Sequence, residues 1–357
     1  MEVFKKSIVW FLSIINVLRK KISVIKKNNP KSVVVLSLHK LGDSVFTIPA
    51  IKNIIDFHKD NIYIICFPET LDIYKLKFDQ VEYVVVPRKS FFFREMIAKS
   101  SVRKLVNSLK PLVIYDLTGS IRSASIIVNS QSDEIVGTNK NIYGNFYSKF
   151  TPLRKTPHST DIYLDVTKLK IESLSFDKQI NPNYEFRKQY ILLHPYAGWR
   201  AKEWNLTKFI SLAQLLSVKH TCAIIFPSVK VFRPDLIKEI ESIGVKIFIS
   251  GSTDELINYI RNSSLLIGND SGPIHIANLI GVPTFTIYGP TNPDFHKPIE
   301  GLNGFYQKHL NCSPSKSEKV CFTNGGRFGC PAFSCMDLLS VDEVFNELDR
   351  FIKNNNI

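Results

Sequence analysis

Acidic residues are scarce in this chain of 357 residues: 32 Asp and Glu stand against 46 Lys and Arg, a formal net charge of +14 at pH 7. The excess is uneven. Residues 1–31 carry eight basic side chains and one acid, Glu2, a net of +7 in under a tenth of the chain. Nucleic acid and an anionic membrane are both partners that suit such a segment. What the segment lacks is length: its uncharged window, Ser7–Leu18, is 12 residues. That is about 18 Å of helix against about 30 Å of hydrocarbon, too short to span. No small-residue cleavage site precedes Arg19–Lys21, which argues against a secretory signal. The six cysteines include no C-x2-C pair, so the usual spacing of a zinc site is missing as well.

What is present is ordinary in bulk. Hydrophobic residues make up 44% and charged residues 22%, which sets aside disordered and collagen-like chains. The length suits two domains of about 150 residues each. In the leader, residues 1–30, Phe4, Ile8, Phe11, Ile15, Leu18, Ile22 and Ile25 share one helical face, and Lys6, Ser13, Lys20 and Lys27 another. This pattern predicts an amphipathic helix lying on an anionic membrane surface, apolar face down. The competing reading is a helix packed on its own protein or on a second copy. Cys66 and Cys222 sit in apolar runs and read as buried thiols. Cys312, Cys321, Cys330 and Cys335 crowd into 24 residues, where a metal clip, a disulfide and free thiols all stay open.

After Pro30 the chain alternates between short β-branched runs and helical stretches. Lys31–Leu38, Asn61–Phe67, Val81–Pro87 and Pro111–Asp116 read as strands, with helices over Asp43–His58 and about Phe91–Lys110. The pattern lapses over about 171–189, and residues 173–189 are taken as a linker between domains at 31–172 and 190–357. Alternation resumes with strands at Tyr190–His194, Cys222–Phe226, Val245–Ser250, Ser264–Gly268 and Pro283–Tyr288. Helices are expected at about Leu206–Val218, Arg233–Ile243, Asp254–Asn262 and Pro273–Ile280. The last helix, Ser340–Asn354, opens on a capping box of Ser340 and Glu343. Two α/β domains with parallel sheets follow, whose ligand sites lie outside the carboxyl ends of the strands and can face each other across a cleft.

Three loops at those strand ends hold unusual residues. In "SLHKLGDSVFTIPA", residues 37–50, Gly42 permits a tight turn and Asp43 stands at the mouth of a helix, where an N-cap is its ordinary use. In "HPYAGWRAKEW", residues 194–204, Arg200 and Lys202 suit an anionic ligand such as a diphosphate, or form a solvated charge pair. Trp204 reads as core. In "GNDSGPIHIANLIGVPTFTIYGP", residues 268–290, a strand ends at Asn269-Asp270 and Ser271-Gly272 open a helix. The free N–H groups and dipole there make a phosphate site, with His275 on its first turn.

Together, in this order, these segments resemble glycosyltransferase family 9, the ADP-heptose:lipopolysaccharide heptosyltransferase group, over about residues 33–350. The resemblance implies a GT-B fold of two Rossmann-like domains, with acceptor on the first and nucleotide-sugar on the second. It implies inverting transfer without a metal or other cofactor, from a donor best taken as ADP-heptose to lipopolysaccharide core or another lipid-linked surface glycan. Asp43 matches the catalytic base and Lys202 the diphosphate-holding lysine. Asp270 matches the acid near the transferred sugar, and Ser271 and Gly272 the phosphate-binding N–H groups. Arg200 and His275 join them as donor-side residues. No D-x-D triplet occurs, the metal-binding pattern common in the other large glycosyltransferase fold. One departure concerns the ribose-gripping acid expected after the second donor-domain strand: in "FPSVKVFRPDL" only Asp235 is acidic. The leader is an addition to the family core, and implies a peripheral place on the inner face of the cytoplasmic membrane. A nucleic-acid-binding protein and a catalytically silent sugar-nucleotide binder are the rival readings. Anion sites at strand ends argue against the first, and intact Asp43 and Lys202 against the second.

Overall fold

The computed structural model describes residues 32–128, 130–153, 158–171, 189–229, 234–321, 330 and 333–357. The leader and all of the proposed linker but Gln189 lie outside them. The chain divides into two compact units: residues 1–154 with 159–176, and residues 155–158 with 177–357.

The first unit begins with β1 (Ser32–Leu36), whose SVVVL is buried throughout. A strand apolar on both sides needs cover on both faces, and that is the signature of a parallel sheet between helices. β2 (Asn61–Cys66) and β3 (Glu82–Val85) follow. The helix expected over Phe91–Lys110 is shorter than its pattern suggested. Phe91–Phe92 (β4) and Ile97–Ala98 (β5) pair as an antiparallel hairpin, and the helix covers only Ser100–Ser108. The physical reason lies in the turn. Phe93, Arg94 and Glu95 all take left-handed φ, at 50°, 56° and 65°, which a right-handed helix cannot accommodate. β6 (Pro111–Asp116), β7 (Glu134–Asn139) and β8 (Lys149–Pro152) complete the sheet in the order β3-β2-β1-β6-β7-β8. Every neighbouring pair in it is parallel.

The second unit repeats the plan. Its strands are β9 (Tyr190–His194), β10 (Cys222–Pro227), β11 (Lys246–Ser250), β12 (Ser263–Asn269), β13 (Thr284–Tyr288) and β14 (Asn303–Gln307), arranged β11-β10-β9-β12-β13-β14 and all parallel. β14 was not foreseen, because NGFYQ is half polar and sits on the sheet edge. Gly304 is needed there, since a Cβ would lie 2.7 Å from Phe285 and 2.8 Å from Phe351. Trp204 is buried as expected, edge-on to Phe209 and donating Nε1–H to the Leu339 carbonyl at 3.0 Å. The closing helix, Val341–Asn355, carries the expected capping box of Ser340 and Glu343.

In both units the first strand lies beside the strand at which the winding reverses, β1 against β6 and β9 against β12. Loops leaving the carboxyl ends at such a reversal splay apart and leave a crevice. All six cysteines are free. Burial pushes the Cys66 and Cys222 thiols up to about 12. Among the described residues no His, Cys, Asp and Glu group is set to hold a metal, and no helix is long and apolar enough to cross a membrane.

Candidate active site

In the first unit the helix after β1 runs Leu41–Phe57 with Lys40 as its N-cap, so Gly42 lies inside the first turn instead of a separate tight turn. Asp43 is therefore not the cap. It occupies the third helical position, exposed, and takes no hydrogen bond from the described residues. The N–H groups of that first turn and the helix dipole suit a carboxylate there.

The rings beside Asp43 are neutral. Burial lowers the pKa of His39, against the raising pull of Asp43. His39 Nε2 lies 3.0 Å from the Leu117 carbonyl, which only accepts, so Nε2 carries the proton and Nδ1 is an acceptor. Its ring meets Tyr163 edge-on at 5.3 Å. Burial also raises Tyr163 and Tyr74, and Asp43 raises both further. The turn is fastened from the loop and helix that follow β6: Thr118 Oγ1 accepts from Leu38 N at 3.0 Å, and Arg122 Nη1 donates to the Leu38 carbonyl at 3.3 Å. His39, Tyr163 and Arg122 were not singled out from sequence. His39 stood inside the quoted loop, whereas the other two come from distant segments.

Behind this turn, Asp116 ends β6 fully buried. It accepts from Tyr147 Oη at 2.6 Å and from Thr118 N at 2.9 Å. Burial outweighs these bonds and pushes its carboxyl up to about 6.

In the second unit, β9 hands over to a 3-10 turn, Arg200–Lys202. Asn269 ties that turn to the end of β12: its Oδ1 accepts from Trp204 N at 3.0 Å and its Nδ2 donates to Pro195 O at 2.8 Å. The tie brings Lys202 Nζ to 2.5 Å from Asp270 Oδ2, with side-chain exposures of 16% and 3%. Thr291 Oγ1 donates to the same oxygen at 2.7 Å, and His275 Nε2 lies 3.7 Å from Oδ1. Burial alone would raise Asp270, but the Lys202 ammonium, with His275, holds it well below the usual carboxylate range. His296 faces the same charge and is still driven down to about 4 by burial.

The sequence-predicted Lys202, Asp270 and His275 are thus brought together. Ser271 caps the helix Gly272–Leu279 through its backbone only, and its Oγ is buried without a hydrogen-bond partner among the described residues. Arg200 stands apart from this group: its side chain is 75% exposed, 3.9 Å from Glu203. Asp235 lies exposed in the first turn of the helix Pro234–Ser242. Thr291 and His296 were missed. Thr291 immediately follows the third quoted loop, but a threonine carries no charge signal.

Two doubly wound units with charged and polar groups at their switch points place the protein in the GT-B class. The glycosyltransferase family 9 (heptosyltransferase) profile matches residues 102–324, which include both donor-side loops but not Asp43. Lipopolysaccharide heptosyltransferase 1 of Campylobacter coli is 31% identical over 144 residues, 37% of this chain and 39% of that protein. Lipooligosaccharide heptosyltransferase 2 of Campylobacter jejuni subsp. jejuni serotype O:2 is 24% identical over 334 residues, 89% of this chain and 97% of that protein. The match therefore spans well under half of the first relative and nearly all of the second. Among solved structures, the E. coli heptosyltransferase WaaC with ADP-2-deoxy-2-fluoro heptose shares the fold at a TM-score of 0.63 and 14% identity, covering 91% of this chain and 99% of that one. The chain belongs to glycosyltransferase family 9.

Two fully or largely buried histidines make the second unit acid-sensitive. His194 and His296 are both lowered to about 4 by burial. A histidine whose folded pKa lies below its unfolded value of about 6.5 loses its stabilising contribution as pH falls below 6.5. At pH 5 that is about 2 kcal/mol each, about 4 in all. In the first unit Asp116 is raised and has the opposite sign, its penalty shrinking by about 1.4 kcal/mol between pH 7 and 5, while His39, lowered by burial, has the same sign as the two histidines of the second unit. Amide exchange followed at pH 7 and 5 should show β9 and β13 opening more readily at pH 5. Opening of β9 and β13 that does not change between the two pH values would refute this assignment.

Proposed function

We propose that the protein transfers heptose from ADP-heptose to lipopolysaccharide core or a related lipid-linked glycan, with inversion and without a metal, at the inner face of the cytoplasmic membrane. The observation that carries the reading is the exposed carboxylate of Asp43 at the switch point of the first sheet, not spent on capping and not ion-paired with any of the described residues. In this role it takes the proton from the acceptor hydroxyl as that oxygen attacks the anomeric carbon from the side opposite the diphosphate. The bond to the diphosphate breaks, and its charge falls to Lys202 and to the N–H groups of Ser271 and Gly272. Asp270 orients Lys202 and Thr291 orients Asp270, while Arg200, exposed on the same turn, would meet the outer phosphate only on reorienting. The heptosyltransferase relatives and the ADP-heptose analogue held by the E. coli structure support the choice of donor. The amphipathic pattern of residues 1–29 supports the membrane site.

The test is a donor screen. ADP-heptose and ADP should raise the unfolding temperature more than UDP- or GDP-linked sugars, since a ligand at 100 times its Kd adds about 2.7 kcal/mol. Transfer to a core acceptor should then proceed unchanged in the presence of chelator. Stabilisation by another nucleotide-sugar would replace the donor, and stabilisation without transfer would favour the silent binder.

A further inference from the structure

We infer that the β4–β5 hairpin of the first unit docks on an anionic lipid bilayer, with Phe92 and Phe93 entering the headgroup boundary and Lys89, Arg94 and Lys99 meeting lipid phosphates. The inference deepens the proposal that the acceptor is lipid-linked, and concerns a segment separate from the leader. Phe92 and Phe93 are 53% and 61% exposed on adjacent positions, an apolar tip that a globular surface does not ordinarily present. The tip is built, not loose. Met96 N donates to the Phe92 carbonyl at 2.9 Å and Lys99 N to the Ser90 carbonyl at 3.0 Å, closing the loop on both sides.

Its charges are sorted. The two acids beside it, Glu69 and Glu95, are consumed by arginines: Arg88 bonds both, and Arg122 bonds Glu95 through its carboxylate at 3.0 Å and its carbonyl at 2.9 Å. Both guanidinium groups stack on the buried Phe67, at 4.1 and 5.0 Å. Lys89 and Arg94 are exposed and Lys99 is half-buried, none ion-paired with a described residue, and Lys99 Nζ lies 5.1 Å over the Phe92 ring. A neutralised base under a cationic, aromatic tip is complementary to an anionic interface. The backbone supports the same reading. Glycine would take the left-handed turn at 93–95 without strain, yet the chain keeps Phe, Arg and Glu there. Glu95 is held inward by the two arginines, which leaves Phe93 and Arg94 presented outward.

The full chain is sedimented with vesicles of phosphatidylcholine containing roughly one-third phosphatidylglycerol, and with phosphatidylcholine alone. Phe92→Ser/Phe93→Ser should raise the anionic lipid concentration for half-binding about ten-fold or more, from lost apolar burial. Lys89→Ser/Arg94→Ser/Lys99→Ser should weaken binding at low salt and matter less at high salt. Because the leader is itself expected to bind lipid, a position-specific readout is included. Phe93→Trp should show an emission blue shift beyond that of the unsubstituted chain, quenched by lipids brominated near the headgroup. No added shift or quenching, or unchanged affinity in the double serine variant, overturns the inference. So does a double variant that loses only self-association of the chain, which would make the tip a contact between copies. The vesicles hold neither donor nor acceptor, so a chain that transfers heptose but ignores them defeats this inference and leaves the proposed reaction standing.

Discussion

Asp43→Asn is expected to lower turnover by about 10²–10⁴, the usual worth of a positioned general base, while donor affinity stays as it was. The folded state should be nearly unaffected. Asp43 is exposed, caps nothing and accepts no hydrogen bond from the described residues, so its contribution to stability is confined to the helix dipole. That term is about 0.3–1 kcal/mol at an exposed site. The neighbouring ring groups cannot substitute for it. Tyr74 and Tyr163 are raised by burial and hold their protons at neutral pH. His39 is neutral, but its Nε2 proton is committed to Leu117 and its pKa is lowered. Steady-state rates at saturating donor and acceptor check the effect, and unfolding curves check the fold. Wild-type turnover in the substituted protein would remove Asp43 from the chemistry and return it to the role of a helix-start acid.

The frame of both sheets could be read from their central strands. SVVVL and YILLH are buried on both faces, and such runs separated by helices have few other solutions than a doubly wound sheet. The edges were harder. β7, EIVGTN, and β8, KFTP, carry too little apolar pattern to announce themselves, and register with β6 decides them. The hairpin at 91–98 was hidden because FFF and MIA fit a helical stripe as well as a strand, and the left-handed turn leaves no glycine as its marker. At the site, composition drew attention to loops that the fold does set at strand ends, because Asp, Lys, Ser-Gly and His are unusual together there. Pairings were beyond it. Lys202 and Asp270 are 68 positions apart in the chain, and only the Asn269 clamp between β9 and β12 brings them to 2.5 Å. The sequence therefore suggested two separate roles where the fold has an ion pair.

That pair sets the second large effect. Lys202→Met should cost about 3–5 kcal/mol of stability in the second unit, because the Asp270 carboxylate would be left buried with Thr291 and His275 as its remaining partners. The same change should weaken binding of a nucleoside diphosphate by about 10–100-fold, as a charge-assisted contact worth about 1.5–3 kcal/mol is lost. Binding of the nucleoside alone should change little. The two effects have different causes and can be separated. In Lys202→Met/Asp270→Asn the buried charge is gone, so most of the stability should return. The cation that meets the phosphates is still missing, so the diphosphate affinity should not. Denaturant unfolding and calorimetric titration with nucleoside and nucleoside diphosphate measure both quantities on the same three proteins. If affinity recovers together with stability, the loss in Lys202→Met came from a disturbed loop and not from a missing phosphate contact. Equal weakening of nucleoside and diphosphate would say the same, and the leaving-group charge would then need another partner, for which Arg200 is the nearest cation on that turn.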